Sequence, residues 1–269
     1  MTESEKFIQH RGLREGKGLP NSFESILKNY RGSVEADAIL LKDGNIAVLH
    51  ERDLNMSLSD AESLDLKELE QLHIPSSDPE TGGRKIPLLR EYIGLTSDSD
   101  TRTALEIKAS SKKKAVELVE KILDQLLKMK DEGGFKPNEK FLESKVSLNS
   151  FSAEALQEAQ KIMKERGLSV STGFFWPSSE EWAKKVPLFS PALLEEVEGK
   201  ENLSWSEMGI EIAFKKNFTS IEFQPGEITK ELVDRAHAKK IKIGSSVVYD
   251  EETADKLVKM GVDYVTTEQ

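Results

Sequence analysis

The sequence predicts a (β/α)8 barrel. Two patterns carry that fold class: short apolar runs with a two-residue period recur along the chain, and amphipathic runs of helical period lie between them. Length is the third observation, since 269 residues suit a barrel of this kind, which commonly runs to about 250.

In order, a strand at 7–9 runs into a polar, Gly-rich stretch over 10–18, and Pro20-Asn21-Ser22 opens a short helix over 23–30. Strand 34–40 turns at Lys42-Asp43-Gly44-Asn45 into a strand over 46–50. Asp-Gly between two apolar runs is a hairpin signal, so 46–50 is an extra arm after the second barrel strand. A helix over 66–72, a polar loop over 75–84 and a helix over 88–93, started by Pro87, lead to strand 103–107. The amphipathic helix 112–130, a loop over 131–140, strand 145–148, helix 153–166 and strand 168–174 follow. Pro187 and Pro191 split the helical stretch 179–198 into two short pieces. The rest alternates as helix 207–216, strand 220–223, helix 230–240, strand 241–248, helix 251–260 and strand 264–266. The usual closing helix is missing at the C-terminus, which leaves a stretch of wall where a homodimer contact would form. No composition break marks a second domain, so 1–269 reads as a single domain. The competing class is an open doubly wound sheet.

Composition removes several function classes. There is no cysteine, which excludes disulfides, Cys-ligated zinc, iron–sulfur clusters and thiol nucleophiles. A formal charge of −10 argues against a nucleic-acid surface. No apolar run reaches the roughly 20 residues of a membrane span. The polar start, Met1 to Lys6, lacks the apolar core of a signal peptide, so the expected compartment is the cytoplasm.

In such a barrel, chemistry gathers at the C-terminal strand ends. That rule selects His10 and Arg11 after the first strand, Glu35 and Asp37 on the second, His50 at the end of the arm, and Glu106 and Lys108 on the third. Glu35-x-Asp37 and Glu106-x-Lys108 each have a two-residue spacing, so both members of a pair share one strand face. Three carboxylates converging in a buried mouth repel one another unless a cation neutralises them, and an all-oxygen site suits one divalent cation, Mg²⁺ or Ca²⁺. Arg11 and Lys108 would turn positive charge toward an anionic substrate, and histidine is the common general acid or base near neutrality. Taken singly, a Glu-x-Asp pair is ordinarily a solvated edge, and Glu106 with Lys108 an ordinary surface pair. It is their coincidence at consecutive strand ends that favours a site. His73 and His237 fall within helices and read as structural, and Lys112-Lys113-Lys114 reads as a solvated helix start. Phe174-Phe175-Trp176 reads equally as pocket lining or core, and Gly16-Lys17-Gly18 lacks the strand-to-helix context of a dinucleotide loop.

With these residues assembled, the sequence resembles the glycerophosphodiester phosphodiesterase family. The matching blocks are His10-Arg11-Gly12, Pro20-Asn21-Ser22-Phe23, Val34-Glu35-Ala36-Asp37, the run Lys42 to His50, Ile86 to Glu91, Leu105-Glu106-Ile107-Lys108, Val146 to Phe151, Ala236 to Lys240, and Gly261 to Thr267. They occur in family order over almost the whole chain. The resemblance implies a (β/α)8 barrel that hydrolyses a small-molecule glycerophosphodiester to an alcohol and sn-glycerol 3-phosphate, by way of a cyclic phosphate. It implies that His10 and His50 are the paired general acid and base, that Glu35, Asp37 and Glu106 bind the metal, and that Arg11 and Lys108 meet the phosphate.

Around that core the chain departs from the family pattern. No acidic residue precedes Asn21, and Glu51 stands where the family has Asp after its second histidine. Ser245-Ser246-Val247 replace the usual tryptophan segment, and Thr266-Thr267-Glu268-Gln269 replaces Thr-Asp-x-Pro. Two alternatives stay open. One is action on another phosphodiester, of lysophospholipid or sphingolipid type; the other is a barrel that binds a phosphorylated ligand without turning it over. An isomerase or aldolase with Lys108 as a Schiff-base amine is ill served by a carboxylate two residues away.

Overall fold

A computed structural model of the chain describes residues 6–12, 20–22, 32–72, 86–98, 101–132 and 145–268. The helix expected over 23–30, the loop over 75–84, His73, Gly16-Lys17-Gly18 and most of 131–140 lie outside those residues. Parallel strands β1 (Phe7–Gln9) and β2 (Ser33–Leu40) are followed by a short arm, β3 (Ile46–Val48), and then by β4 (Arg102–Lys108), β5 (Val146–Ser150), β6 (Ser171–Phe175), β7 (Ser220–Phe223), β8 (Lys242–Val248) and β9 (Tyr264–Thr267). β9 pairs with β1 through Phe7↔Val265, Ile8↔Thr266 and Gln9↔Thr267, and β1 pairs with β2 through Ile8↔Ser33 and Gln9↔Val34. These two pairings close an eight-stranded parallel barrel among the described residues, and they exclude the open doubly wound sheet.

β2 carries two different partners along one edge while pairing with β4 from Ser33 to Ile39 on the other. Its first half is ladder for β1, and its second half, Ala38 to Leu40, pairs antiparallel with β3. Asp43 makes the turn by accepting the Asn45 N–H at 3.1 Å, and Gly44 takes a left-handed φ of 85° there. A satellite cluster of Ile39, Leu41, Ala47, Leu49, Ala61, Leu69 and Ile86 packs beneath this arm. Leu49 N–H then donates to the Asp37 carbonyl at 3.0 Å, which brings the chain back along β2 and places His50 next to the level of Asp37.

The alternation along each strand separates two environments. Outward residues such as Val34, Ala36, Leu105, Ile107, Leu148, Phe174, Ile221, Ile243 and Val265 join one large core with Leu118, Val119, Ile122 and Leu126 of the helix Lys112–Asp131 and with the helices that follow. The inward set is polar. At the N-terminal end it lines a cavity of about 90 Å³ with Ser33, Arg102, Ser147, Ser171, Ser220 and Tyr264, and at the C-terminal end a cavity of about 110 Å³ described below.

Element boundaries differ from expectation in two informative places. The strand expected at 168 begins at Ser171, because Gly167 caps the helix Ala153–Arg166 in the left-handed region. Leu168 N–H then returns to the Met163 carbonyl at 2.9 Å and Val170 N–H to the Met163 sulfur at 3.1 Å, so these residues close the helix and do not extend the ladder. The helix expected to end at Ile93 runs from Leu89 to Asp98, continuing through Gly94. The stretch after Ser179 is two pieces, the helix Glu180–Ala183 and the 3₁₀ turn Pro191–Glu196, as the prolines predict.

Candidate active site at the barrel mouth

The sequence-predicted residues meet at the C-terminal mouth. β2 and β4 run in register with Asp37 opposite Glu106 and Ile39 opposite Lys108, so the inward face of this strand pair carries Glu35, Asp37, Glu106 and Lys108. Carboxylate oxygens of Glu35, Asp37 and Glu106 all lie within 4.8 Å of one another. Lys108 Nζ stands 2.6 Å from Glu106 Oε1 and 3.4 Å from Asp37 Oδ1. Burial works against the ammonium, yet Glu106 and Asp37 outweigh it and hold the Lys108 pKa above its ordinary value.

Arg11 joins from β1. Its backbone sits at φ 52°, ψ 25°, a left-handed conformation costing a non-glycine residue roughly 1–2 kcal/mol. That conformation turns the Arg11 N–H to Glu35 Oε2 at 3.0 Å, while Nε faces Asp37 Oδ2 at 3.2 Å. Asn21, also at positive φ and fully buried, donates Nδ2–H to Asp37 Oδ2 at 2.9 Å and accepts the Asp37 N–H at 3.2 Å. Burial opposes the Asp37 charge, but Lys108, Arg11, His50 and the Asn21 hydrogen bond together bring its pKa down to about 2. Glu35 goes the other way: burial and the neighbouring charges of Asp37 and Glu106 push its carboxyl well above the usual range.

The two histidines flank this cluster. His10 Nδ1 lies 2.8 Å from Glu268 Oε1, and its Nε2 is 3.9 Å from Glu35 Oε2. Burial lowers the His10 pKa despite the hydrogen bond to Glu268. His50 is buried, and its Nδ1 accepts the Arg52 N–H at 3.2 Å at the head of a 3₁₀ turn, Glu51–Leu54. Glu51 Oε2 is also 3.0 Å from that nitrogen. Nδ1 accepts from Arg52 only while unprotonated and donates to Glu51 only when it carries a proton, so the two hydrogen bonds exclude one another.

The 110 Å³ cavity runs from the acid cluster across the mouth, lined on one side by His10, Glu35 and Glu106 and on the other by Phe151, Phe175, Glu222 and Ser246. The aromatic triplet divides: Phe174 is fully buried in the outer core, while Phe175 and Trp176 line the mouth. Glu222 is a site residue that the sequence reading missed. Its Oε1 accepts hydrogen bonds from Asn149 Nδ2 at 2.9 Å and the Tyr264 hydroxyl at 3.2 Å. Burial, helped by the charge of Glu106 and opposed by the Tyr264 hydrogen bond, raises its pKa to about 8. Ser220-x-Glu222 has the same two-residue spacing that singled out Glu35 and Asp37, and that was its one signal in the sequence. Asn21 and Glu268 carry no periodic signal at all. His237 sits away from the mouth, with Nε2 2.8 Å from Asp263 Oδ2, in keeping with its structural reading.

No helix of the described residues is long and apolar enough to cross a membrane.

Comparison with known proteins gives one consistent result. A profile of the glycerophosphoryl diester phosphodiesterase family matches residues 10–269. A glycerophosphodiester phosphodiesterase of Bacillus altitudinis is 24% identical over 274 residues, covering 98% of this chain and 94% of its own. Among solved structures, an Oleispira antarctica phosphodiesterase in complex with the product sn-glycerol-3-phosphate superposes with a TM-score of 0.71 at 19% identity, over 98% of this chain and 92% of that one. A glycerophosphodiester phosphodiesterase from Parabacteroides distasonis superposes with a TM-score of 0.69 at 18% identity, over 98% and 93%.

Proposed function

The chain belongs to the glycerophosphoryl diester phosphodiesterase family of hydrolases, and on that premise we propose that it cleaves glycerophosphodiesters to an alcohol and sn-glycerol 3-phosphate with a divalent cation and the histidine pair His10 and His50. The observation that supports this most is the convergence of three carboxylates within 4.8 Å, with His10 at 3.9 Å from one of them, at the end of the barrel where chemistry is built.

The donor set fits a hard cation. Glu35 Oε1 is buried without a hydrogen-bond partner, and the ligating atoms would all be oxygen. Glu35, Asp37 and Glu106 would hold Mg²⁺ or Ca²⁺, which would lower the barrier by drawing off the charge that develops on the phosphoryl oxygens. Arg11 and Lys108, the cations beside the cluster, would meet the phosphate.

The hydrogen bonds of the histidines suggest a division of labour. His10 gives its Nδ1–H to Glu268, which leaves the Nε2 lone pair free, and its lowered pKa keeps that lone pair available near neutrality. His10 then takes the proton of the substrate's neighbouring hydroxyl as that oxygen attacks phosphorus. The bond to the alcohol breaks, and His50, as imidazolium with Nδ1–H turned to Glu51, protonates the departing alkoxide. A cyclic phosphate forms. In the second half the roles reverse: His50 takes a proton from water as it opens the ring, and His10 returns its proton to the released hydroxyl.

Hydrolysis of glycerophosphocholine and glycerophosphoethanolamine, with EDTA against added Mg²⁺ or Ca²⁺, tests this in wild type and His10→Ala. Metal-dependent release of alcohol that disappears in the variant is expected. Ligand binding without any turnover would instead identify a binding protein.

A further inference from the structure

We infer that the wall of the mouth facing the acid cluster is a subsite for a cationic leaving group, an ammonium-bearing alcohol held between the carboxylate of Glu222 and the rings of Phe175 and Phe151. The inference rests on the phosphodiesterase reading and names the class of its alcohol.

The first support is an imbalance of charge. The other buried carboxylates each have a basic neighbour: Asp37 has Arg11 and Lys108, Glu35 has His10, and Glu62 has Lys114 at 2.6 Å. Among the described residues no basic side chain pairs with Glu222, whose hydrogen bonds come from the neutral donors Asn149 and Tyr264. Nor does any lysine or arginine of the described residues line the cavity that Glu222 faces. Burial without a counter-charge holds Glu222 toward its neutral form, and a ligand's cation beside it would favour the carboxylate.

The second support is how closely the carboxylate is held. A Cβ on Gly173 would fall 2.6 Å from Asn149 Oδ1, and one on Gly244 would fall 2.8 Å from Glu222 Cγ and against the Tyr264 ring. The strands on either side of β7, β6 and β8, therefore forgo a side chain so that Asn149 and Tyr264 can reach Glu222 and hold it in one place.

The third support is the neighbour. Phe175 is the register partner of Glu222 across β6 and β7, and both line the cavity. Phe151, whose ring centroid is 5.1 Å from that of Phe175, continues the wall, and Ser246 leaves space opposite. Aromatic faces beside a carboxylate are the side chains that recognise an ammonium group.

The test compares kcat/KM for the choline and glycerol esters of glycerol 3-phosphate in wild type, Glu222→Gln and Phe175→Leu. Wild type should favour the choline ester by about tenfold, and the ratio should fall toward one in either variant. Calorimetric binding of phosphocholine against glycerol 3-phosphate reads the same subsite without turnover. If wild type hydrolyses neither ester, the phosphodiesterase reading fails, and the calorimetry still decides the subsite. A roughly tenfold loss of phosphocholine affinity relative to glycerol 3-phosphate in Glu222→Gln supports it. An unchanged ratio, or a weakened affinity for Mg²⁺ in its place, overturns it.

Discussion

Glu268 holds the ring of His10 from the opposite end of the sequence, with Oε1 2.8 Å from Nδ1 across a separation of 258 residues. The contact exists because β9 pairs with β1 up to Gln9↔Thr267, which places the next residue of each strand side by side. A carboxylate on one imidazole nitrogen fixes the tautomer and aims the other nitrogen.

Replacing Glu268 with Gln should therefore lower kcat by on the order of tenfold to a hundredfold with little change in KM. The hydrogen bond and charge of Glu268 raise the His10 pKa against the lowering effect of burial, so their loss takes it lower still. The acidic limb of the pH–rate profile should move to lower pH in the variant, a shift that simple loss of folded protein would not produce.

Glu35→Gln should abolish most of the stabilisation that a divalent cation gives. At a hundredfold excess over Kd, wild type should gain about 2.7 kcal/mol, read as a rise in Tm with added Mg²⁺ or Ca²⁺. In EDTA the order should reverse. The Glu35 carboxyl is held in an environment of burial and like charge that disfavours ionisation, so the neutral amide should be the more stable.

Glu222 gives the metal-free protein a stability that falls as pH rises. Its folded pKa, about 8, lies above the ordinary value of 4.5, so between these two the folded state binds more protons than the unfolded one. Stability should decline across that window, by on the order of 5 kcal/mol in all, and level off above pH 8. Urea unfolding in EDTA at pH 5, 7 and 9 should show the decline in wild type and a weaker one in Glu222→Gln.

Gly244→Ala should destabilise by about 1–3 kcal/mol, because the added methyl meets the Tyr264 ring and Glu222 Cγ with no free space to take. Gly94→Ala is the control. That position lies inside the helix Leu89–Asp98, and nothing is found within 4 Å of its added carbon, so a gain of roughly 0.5–1 kcal/mol is expected in a thermal melt.

What was legible in the sequence follows from what local periodicity can carry. Glu35 with Asp37 and Glu106 with Lys108 could be placed on shared faces because strand alternation is a local rule. His50 could be placed because Asp43-Gly44 announces a hairpin. Glu222 obeys the same rule on β7, but its companion at that spacing is a serine and not a second charge, and its partners Asn149 and Tyr264 come from β5 and β9, which no local pattern joins. Glu268 needed the closure of the barrel, and Asn21 needed a left-handed turn against β2. β6 starts later than its apolar run because the carbonyl and sulfur of Met163 claim the backbone of Leu168 and Val170, a competition between helix end and sheet that hydrophobicity does not record.

The closure of β9 onto β1 also fixes when the site comes into being. β1 is the first of the described strands to leave the ribosome and β9 the last, so His10 waits through the synthesis of 258 further residues for the acid beside it. A nascent chain stopped before Tyr264 would have all three carboxylates and both histidines, yet the open edges of β1 and β8 would face solvent, ready to pair with another chain. Synthesis of β9, barrel closure and the contact between Glu268 and His10 are thus one event.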